Sequence, residues 1–262
     1  MTDGFILSDA LLARLAGARS VLVLTGAGMS AESGIPTFRD AQSGIWAKFR
    51  PEDLATPEAF ARDPARVWQW YDERRAAVRR AQPHAGHRAL VDLESLVPEL
   101  TVVTQNVDGL HQLAGSRTVW ELHGNIMRSK CHLSLRPIGS DWLADSTHSP
   151  PRSPYVEGGL ARPDVVWFGE ALPTAAVEAA VEAAGRCDFC FSIGTTSLVQ
   201  PAASLPLFAK ERGAALVEIN PVETALSPYA DQGFRGKASE VLVTLVSQLR
   251  AWRRQNDSDR RD

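Results

Sequence analysis

The sequence contains few cysteines and no strong excess of either charge. Only three of its 262 residues are cysteine, an odd number that fits a reducing compartment better than a disulfide scaffold. The formal net charge is -3, so the composition indicates no basic surface for nucleic acid or another polyanion. We therefore expect no nucleic-acid partner.

Long apolar runs are lacking as well. No stretch approaches the roughly 20 apolar residues that a transmembrane helix needs, and residues 1–20 contain early acidic side chains, unlike a signal peptide. We expect no membrane partner and a cytoplasmic location. The length of 262 residues suits one catalytic domain at 1–252, with a polar tail at 253–262.

Short apolar runs alternate with helical patterns over most of the chain. After a first run at 21–24, segments with strand character lie at 100–104, 118–122, 164–168, 189–194 and 215–219. Helical patterns separate the later runs, at 174–185, 204–213 and 238–252. This alternation predicts a doubly wound, Rossmann-like α/β fold with a parallel sheet.

Two segments do not follow this alternation. Residues 41–95 contain a helical stretch rich in Trp, Tyr and Arg, and residues 125–162 end in a stretch rich in Pro, Gly and Ser. Both are typical of insertions that form a smaller lobe. The larger lobe would then contain residues 1–40, 96–124 and 163–252.

A glycine-rich loop follows the first apolar run. Gly26, Gly28 and Ala31 have the G-x-G-x-x-A spacing of a dinucleotide-binding loop. A dehydrogenase would continue with a long helix, whereas Gly34 and Pro36 interrupt this segment. Dehydrogenases also place an acidic residue at the end of a second strand about 20 residues later, which is missing, so hydride transfer is the least favoured function.

Polar side chains follow several other predicted strands, whose ends should converge on one crevice. The next loop contains Gln105, Asn106 and Asp108, whose side chains can hydrogen-bond a ribose and a carboxamide. It is equally possible that Asn106 and Asp108 only cap a turn or a helix. His123 follows another strand; a lone histidine is more often structural, but its pKa suits proton transfer. Asn220 ends a further strand and can hold a ribose or an adenine.

The motifs GAGMSAESGIPTFRD, TQNVDGLH, ELHGN, VVWFGE, GTTSLVQPAA and VEINP together resemble those of sirtuins, in the same order and over nearly the whole chain. The resemblance implies an NAD-dependent protein deacylase, which consumes NAD and moves the acyl group of an acylated lysine to ADP-ribose. It also explains the interrupted glycine loop, because in sirtuins this segment closes over the nicotinamide end of NAD.

The resemblance further implies the site residues. His123 would be the general base, and Asn106 would act beside it. The implied NAD-binding residues are Gly26, Ala27, Gly28, Ser30, Ala31, Phe38, Arg39, Trp46, Gln105, Asn106, Val107, Asp108, Gly194, Thr195, Thr196, Ser197, Asn220 and Ala238. The implied substrate residues are Tyr71, Arg74, Val166, Trp167, Phe168 and Gly169, the last four by strand addition to the acylated peptide.

The cysteines depart from the sirtuin pattern of two C-x-x-C pairs around a structural zinc. Cys131 matches the first position, Ser134 stands at the second, and the later pair is missing. Cys187 and Cys190 lie in an apolar run and are expected in the core. A makeshift site from Cys131, His132 and His148 matches no common zinc spacing. We expect no metal.

Tyr71 and Arg74 lie three residues apart and would share one face of a helix. Their spacing resembles the Tyr-x-x-Arg motif of sirtuins that remove malonyl, succinyl and glutaryl groups, in which the pair meets the acyl carboxylate. A guanidinium suits this contact because it grips a carboxylate with paired hydrogen bonds. The alternative is a solvated basic helix.

Two other functions retain the NAD site. An ADP-ribosyltransferase or NAD glycohydrolase would use the same loops, although the presence of His123 favours deacylation. A non-catalytic NAD-sensing module would bind the cofactor without releasing nicotinamide.

Overall fold

The computed structural model describes residues 4–36 and 51–258 and confirms the predicted α/β fold. Its strands are β1 (Ser20–Thr25), β2 (Glu99–Thr104), β3 (Val119–Glu121), β4 (Gly124–Cys131), β5 (Pro137–Ile138), β6 (Ala161–Val165), β7 (Phe189–Ile193), β8 (Ala215–Ile219) and β9 (Gln232–Phe234). Its α-helices are α1 (Asp9–Gly17), α2 (Pro51–Leu54), α3 (Pro57–Arg62), α4 (Pro64–Arg80), α5 (Ala85–Leu96), α6 (Leu110–Ala114), α7 (Ser140–Ala144), α8 (Thr174–Arg186), α9 (Leu205–Glu211) and α10 (Ala238–Ser258).

The main sheet is parallel and has the order β3-β2-β1-β7-β8-β9. Side chains of the fully buried strand β1 alternate between two cores. Val21 and Val23 pack with α1, α5 and α10, while Leu22 and Leu24 pack with α8 and α9. Because the strand order reverses between β1 and β7, the crevice beyond their carboxyl ends is the expected ligand site.

A smaller lobe contains an antiparallel sheet of order β5-β4-β6, against which α3 and α4 pack. The helix α4 begins after Asp63, whose side chain accepts a hydrogen bond of 3.1 Å from Arg66 N. Pro64 occupies its first turn, where no N–H partner is needed. The core of this lobe includes Phe60, Trp70, Tyr71, Ile126, Val165 and Trp167.

The structure differs from three expectations, which concern one strand, one helix and the C-terminal tail. The strand expected at 164–168 in the main sheet is β6, which ends at Val165 and pairs antiparallel with β4 in the smaller lobe. The helix α5, expected in the smaller lobe, packs Leu90 and Leu93 into the main core. The expected polar tail starts as helix, because α10 continues to Ser258.

Within the part of the chain that the structure describes, no helix is both long and apolar enough to cross a bilayer.

Candidate functional site

The glycine-containing loops after β1 and β7 touch backbone to backbone. Gly28 N donates to Gly194 O over 2.8 Å, and Gly26 N donates to Ile193 O over 3.0 Å. Gly194 has a φ of +61°, and a Cβ there would lie 2.4 Å from Met29 N, so only glycine fits this contact. The two loops thus form a close backbone junction, here called the cradle, at the switch point, where ligands of doubly wound sheets bind.

Between Gly28 and Pro36, where the described part of this segment ends, there is no long helix, as predicted from the interruption. It forms two short 3-10 turns, Ala27–Met29 and Ala31–Ser33, and Gly34 ends the second with a φ of +79°. Three predicted cofactor residues, Phe38, Arg39 and Trp46, lie outside the described residues.

Hydrogen bonds join the second 3-10 turn to the start of α10. Glu32 accepts hydrogen bonds from Ser239 N, over 3.1 Å, and from Ser239 Oγ, over 2.6 Å. Buried Ala238, a predicted cofactor residue, precedes this serine. The contact therefore brings the first turn of α10 to the glycine-rich loop.

A buried hydrogen-bond chain joins the glycine-rich loop to the loop after β2. Ser30 Oγ donates to Asp108 Oδ2 over 2.7 Å and accepts from Asn106 Nδ2 over 3.0 Å. Asp108 Oδ1 also accepts from Leu110 N over 2.9 Å, so this carboxylate caps α6 in addition. Burial raises the pKa of Asp108, against the lowering effect of these hydrogen bonds.

His123 lies between β3 and β4, and its Nδ1 is 3.0 Å from Gln105 O. A carbonyl oxygen only accepts, so Nδ1 carries the hydrogen and Nε2 is left as a bare acceptor. Burial lowers the pKa of His123, although the hydrogen bond to Gln105 raises it. The ring is therefore neutral at pH 7, which is the form that a general base requires.

The loop after β7 is held by two side-chain amides. Gln105 Nε2 donates to Thr195 Oγ1 over 3.1 Å, and Asn220 Nδ2 donates to Thr195 O over 2.7 Å. Ser197 has a φ of 56°, and no described residue hydrogen-bonds its buried Oγ. An unpaired buried hydroxyl costs about 1–3 kcal/mol, so this loop, with half-buried Thr196, fits a polar ligand that supplies the partner.

Tyr71 contacts Trp167 across the core of the smaller lobe. Tyr71 is 5% exposed, and its hydroxyl oxygen accepts a hydrogen bond of 2.9 Å from Trp167 Nε1. Burial raises the pKa of Tyr71 to about 12, so the hydroxyl remains protonated. Because an indole N–H only donates, this contact does not use the Tyr71 hydrogen.

Two adjacent arginines of α4 differ in their surroundings. Arg75 is 4% exposed and fastens α4 to β4, since it donates to Ile126 O over 2.7 Å and to Ser129 Oγ over 3.0 Å. Half-buried Arg74 lies 4.8 Å from the ring centroid of Trp70, and no carboxylate of a described residue forms an ion pair with it. Burial lowers the pKa of Arg74, yet a guanidinium stays charged.

Residues 166–169 form a turn instead of the predicted strand. Val166 N donates to His123 O and Phe168 N donates to Ala55 O, each over 2.9 Å. These two N–H groups are thus bonded within the chain, and strand addition of an acylated peptide through the other backbone groups of this segment stays a prediction. Phe168 is 47% exposed.

Sequence reasoning missed a buried ion pair beside this turn. Arg162 Nη2 donates to Glu170 Oε2 over 2.8 Å, and the guanidinium carbon lies 3.2 Å from the centroid of the Trp167 ring. The only hint of this pair in the sequence was that Arg162 lies eight residues before Glu170, the glutamate of VVWFGE. Spacing alone could not show that a turn brings the two together.

A column of three histidine rings in edge and tilted contact was also missed. The ring centroids of His84 and His87 are 4.3 Å apart, and those of His87 and His111 are 5.0 Å apart. His84 Nε2 lies 2.6 Å from Met29 O, and His111 Nε2 lies 3.0 Å from Thr25 Oγ1. The column therefore supports the glycine-rich loop and the end of β1 from below. Its only sequence signal was the spacing of the first two histidines.

Cys131 is buried in a tight turn at the end of β4. Ser134 N donates to Cys131 Sγ over 3.5 Å. Burial acts to raise the pKa of Cys131, but hydrogen bonds, first among them that from Ser134, outweigh burial and bring it to about 7. His132 is held by Leu160 N over 2.8 Å, and His148 is exposed. The described residues contain no group of three His, Cys, Asp or Glu side chains that could hold a metal ion.

Cys187 and Cys190 are buried in one apolar core with α8 and α9. Burial raises the pKa of Cys187 to about 11 and that of Cys190 well above its ordinary value. Both thiols are thus part of the core, as predicted.

Together these residues define a class of site. A dinucleotide-type cradle lies at the switch point of a doubly wound sheet, and a neutral histidine base adjoins it through Gln105. This combination can bind a dinucleotide and accept a proton beside it.

Comparison with known proteins identifies the family. A model of the Sir2 family matches residues 26–201. The chain is 50% identical over 238 residues to NAD-dependent protein deacylase 2 of Pyrobaculum aerophilum, covering 90% of this chain and 93% of the relative. It is 48% identical over 233 residues to the NAD-dependent protein deacylase of Aquifex aeolicus, covering 88% and 95%.

Solved structures of Sir2 proteins are also similar to this chain. The crystal structure of a Sir2 homolog–NAD complex matches with a TM-score of 0.86 and 45% identity, over 96% of this chain and 97% of that one. A Sir2–p53 peptide–NAD+ structure matches with a TM-score of 0.80 and 30% identity, over 93% and 98%. The chain therefore belongs to the Sir2 family.

Proposed function

We propose that this protein is an NAD-dependent protein-lysine deacylase that prefers succinyl and malonyl groups and also accepts acetyl-lysine. Its products are free lysine, nicotinamide and O-acyl-ADP-ribose. The observation that carries the acidic preference is Arg74, a half-buried guanidinium without an ion-pair partner among the described residues, three positions from the hydroxyl of Tyr71.

The cradle fits NAD. Gly26, Gly28 and Gly194 let the loops after β1 and β7 meet backbone to backbone at the switch point, beside which the diphosphate would lie. The unpaired hydroxyl of Ser197 suits a ribose or phosphate oxygen. Asn106 and Asp108 would hold the nicotinamide end. The further residues that would line the site are Ala27, Ser30, Ala31, Gln105, Val107, Thr195, Thr196, Asn220 and Ala238. When bound, NAD supplies the ribose carbon that loses nicotinamide and receives the acyl oxygen.

His123 would take a proton from a ribose hydroxyl at Nε2. The carbonyl of Gln105 fixes the ring and stabilises the imidazolium that results, because it accepts the Nδ1 hydrogen in both states. The lowered pKa of His123 keeps Nε2 free of a proton at neutral pH before the reaction.

Arg74 and Tyr71 would bind the carboxylate at the end of the acyl group. Arg75 is unsuited to this role because its guanidinium is occupied by Ile126, Ser129 and Asp72. A partly desolvated contact between a guanidinium and a carboxylate contributes about 1.5–3 kcal/mol, equivalent to roughly ten- to hundredfold in efficiency.

We also propose that the smaller lobe folds without zinc. Side chains bridge the segment after Cys131 in place of a metal: Tyr155 Oη donates to Pro137 O over 2.6 Å, and Trp142 Nε1 donates to Arg152 O over 2.8 Å. Arg136 lies 4.1 Å from the ring centroid of Tyr155. These contacts support the packing that we expect instead of metal ligation.

Product analysis tests the activity. The enzyme is incubated with NAD and one peptide sequence carrying succinyl-, malonyl- or acetyl-lysine, and the products are identified by mass spectrometry. O-acyl-ADP-ribose is the expected product, formed fastest from the acidic acyl groups. ADP-ribose attached to protein, with the acyl-lysine intact, would indicate a transferase, and NAD binding without release of nicotinamide would indicate a binding module.

A further inference from the structure

An ion pair between buried Arg162 and half-buried Glu170 closes the turn that follows β6. Arg162 is 2% exposed, and its Nη1 and Nη2 bind Glu170 Oε1 and Oε2 over 2.5 Å and 2.8 Å. Nη2 also donates to Val165 O over 2.9 Å, and Glu170 Oε2 accepts from Trp167 N over 2.8 Å. A bidentate pair of this kind fixes geometry as well as charge, so it sets the backbone of the turn.

The same arginine clamps the indole ring of Trp167. Its guanidinium stacks on the ring at 3.2 Å from the centroid, and the centroid of Phe60 lies 5.3 Å from that of Trp167. The ring, which is 2% exposed, points its Nε1–H at the hydroxyl oxygen of Tyr71 over 2.9 Å. The position of that N–H thus depends on the pair of Arg162 and Glu170.

The bond from Trp167 determines how the hydroxyl of Tyr71 is used. It occupies an acceptor position on the oxygen and orients the group, which leaves the hydroxyl hydrogen for another acceptor. Without the indole N–H, the hydroxyl hydrogen could take either of its two orientations in the plane of the ring, and the group would lose its single preferred direction as a donor.

We infer that Glu170 is a positioning residue for the acyl group, because through Arg162 and Trp167 it holds the Tyr71 hydroxyl as a donor for the acyl carboxylate. The inference rests on the proposed acidic-acyl preference. Glu170 itself contacts neither Tyr71 nor Arg74 in the hydrogen bonds and ion pairs of the described residues.

Substitution Glu170→Gln preserves the size of the side chain and removes its charge. We expect the ratio of desuccinylation to deacetylation efficiency to fall about three- to tenfold, mainly through a higher KM for the succinyl peptide. The KM for NAD should stay unchanged. In a Tyr71→Phe background the same substitution should have no further effect on the ratio, because the hydroxyl that it orients is absent.

The indole N–H signals provide a readout that is independent of activity. The chain has seven tryptophans, and the nitrogen-15 NMR signal of Trp167 is identified by its loss in Trp167→Phe. We expect this signal to shift in Tyr71→Phe, which removes the acceptor, and in Glu170→Gln, which releases the clamp.

Glu94→Gln is the matched control. Glu94 lies in α5, is 6% exposed and accepts a hydrogen bond of 3.1 Å from Arg117 Nε. It hydrogen-bonds neither Tyr71 nor Arg74. The substitution should lower the melting temperature and leave the Trp167 signal and the acyl ratio unchanged.

The inference is overturned if Glu170→Gln behaves like this control, or if its effect on the acyl ratio persists in the Tyr71→Phe background. A parent enzyme that processes only acetyl-lysine would refute the proposed preference instead. The positioning of the Tyr71 hydroxyl by Glu170 would then be judged by the Trp167 signal alone, and an unshifted signal in Glu170→Gln would overturn it.

Discussion

His123 donates its Nδ1 hydrogen to the carbonyl oxygen of Gln105 over 3.0 Å. Gln105 begins the loop that also carries Asn106 and Asp108, and those two side chains are joined through Ser30. The position of the base is thus coupled to the residues that would hold the nicotinamide end of NAD, whereas its reactive nitrogen is uncommitted in this contact.

Replacing His123 by alanine should abolish deacylation and leave NAD binding largely intact, because the base acts after the cofactor has bound. Calorimetric titration with NAD and peptide turnover measure the two effects separately. The exposed residue His148 provides the control, and His148→Ala should behave like the parent. Turnover of acyl peptides by His123→Ala at the parental rate would refute the assigned role.

Asn106→Ala and Asp108→Asn should impair cleavage of NAD more than binding of ADP-ribose. Both side chains lie in the buried chain around Ser30, and neither bonds the loop after β7, where the adenosine part would lie. The affinities for NAD and ADP-ribose are compared by titration. Equal losses for both ligands would indicate general damage to the loop.

The histidine column predicts a pH dependence of stability. Burial lowers the pKa of His87 to about 2 and of His111 to about 4, from the ordinary value of 6.5. Below pH 6.5 the unfolded chain binds protons that the folded protein does not. The free energy of unfolding is therefore highest above pH 6.5 and decreases as the pH is lowered. His87 and His111 should each lower the free energy of unfolding by about 2 kcal/mol when the pH falls from 7 to 5.

Urea unfolding across this pH range tests the effect. His87→Phe keeps a ring between His84 and His111 and removes one titrating group, so the decline should become smaller by about 2 kcal/mol. An unchanged slope would show that other groups cause the acid sensitivity.

The main sheet was predictable from the sequence because the strands of a covered parallel sheet are continuous apolar runs. The same reasoning placed β6 in the wrong sheet. Val165 and Trp167 of the predicted run are buried too, but in the core of the smaller lobe with α4 and β4, and an apolar run does not show which sheet contains it.

The candidate site shows a similar limit. The spacing of Tyr71 and Arg74 predicted one helix face, but it could not distinguish Arg74 from Arg75, since the carbonyl of Ile126 and the hydroxyl of Ser129 that bind Arg75 come from a distant strand. The contact of His87 with His111 gave no signal for the same reason, because His111 lies on another helix.

Metal analysis tests the proposed folding without zinc. Purified protein should contain less than about one tenth of an equivalent of zinc, and a chelator should not change its melting temperature, because no metal contributes to folding. Cys131→Ser should be tolerated apart from a modest loss of stability. One equivalent of tightly bound zinc would contradict the proposal.

The adjacent arginines of α4 provide a matched pair of variants for the acyl preference. Arg74→Met replaces the guanidinium by an uncharged side chain of similar length, so desuccinylation efficiency should fall roughly ten- to hundredfold while deacetylation persists or improves. Arg75→Met should instead lower the free energy of unfolding by about 2–4 kcal/mol, because the carbonyl of Ile126 and the hydroxyl of Ser129 lose their donor. It should leave the ratio of the two activities unchanged. Both rates are measured on one peptide sequence carrying succinyl- or acetyl-lysine, and stability is measured by urea unfolding. If Arg74→Met lowers both rates equally, Arg74 supports the helix and the acidic-acyl preference is wrong.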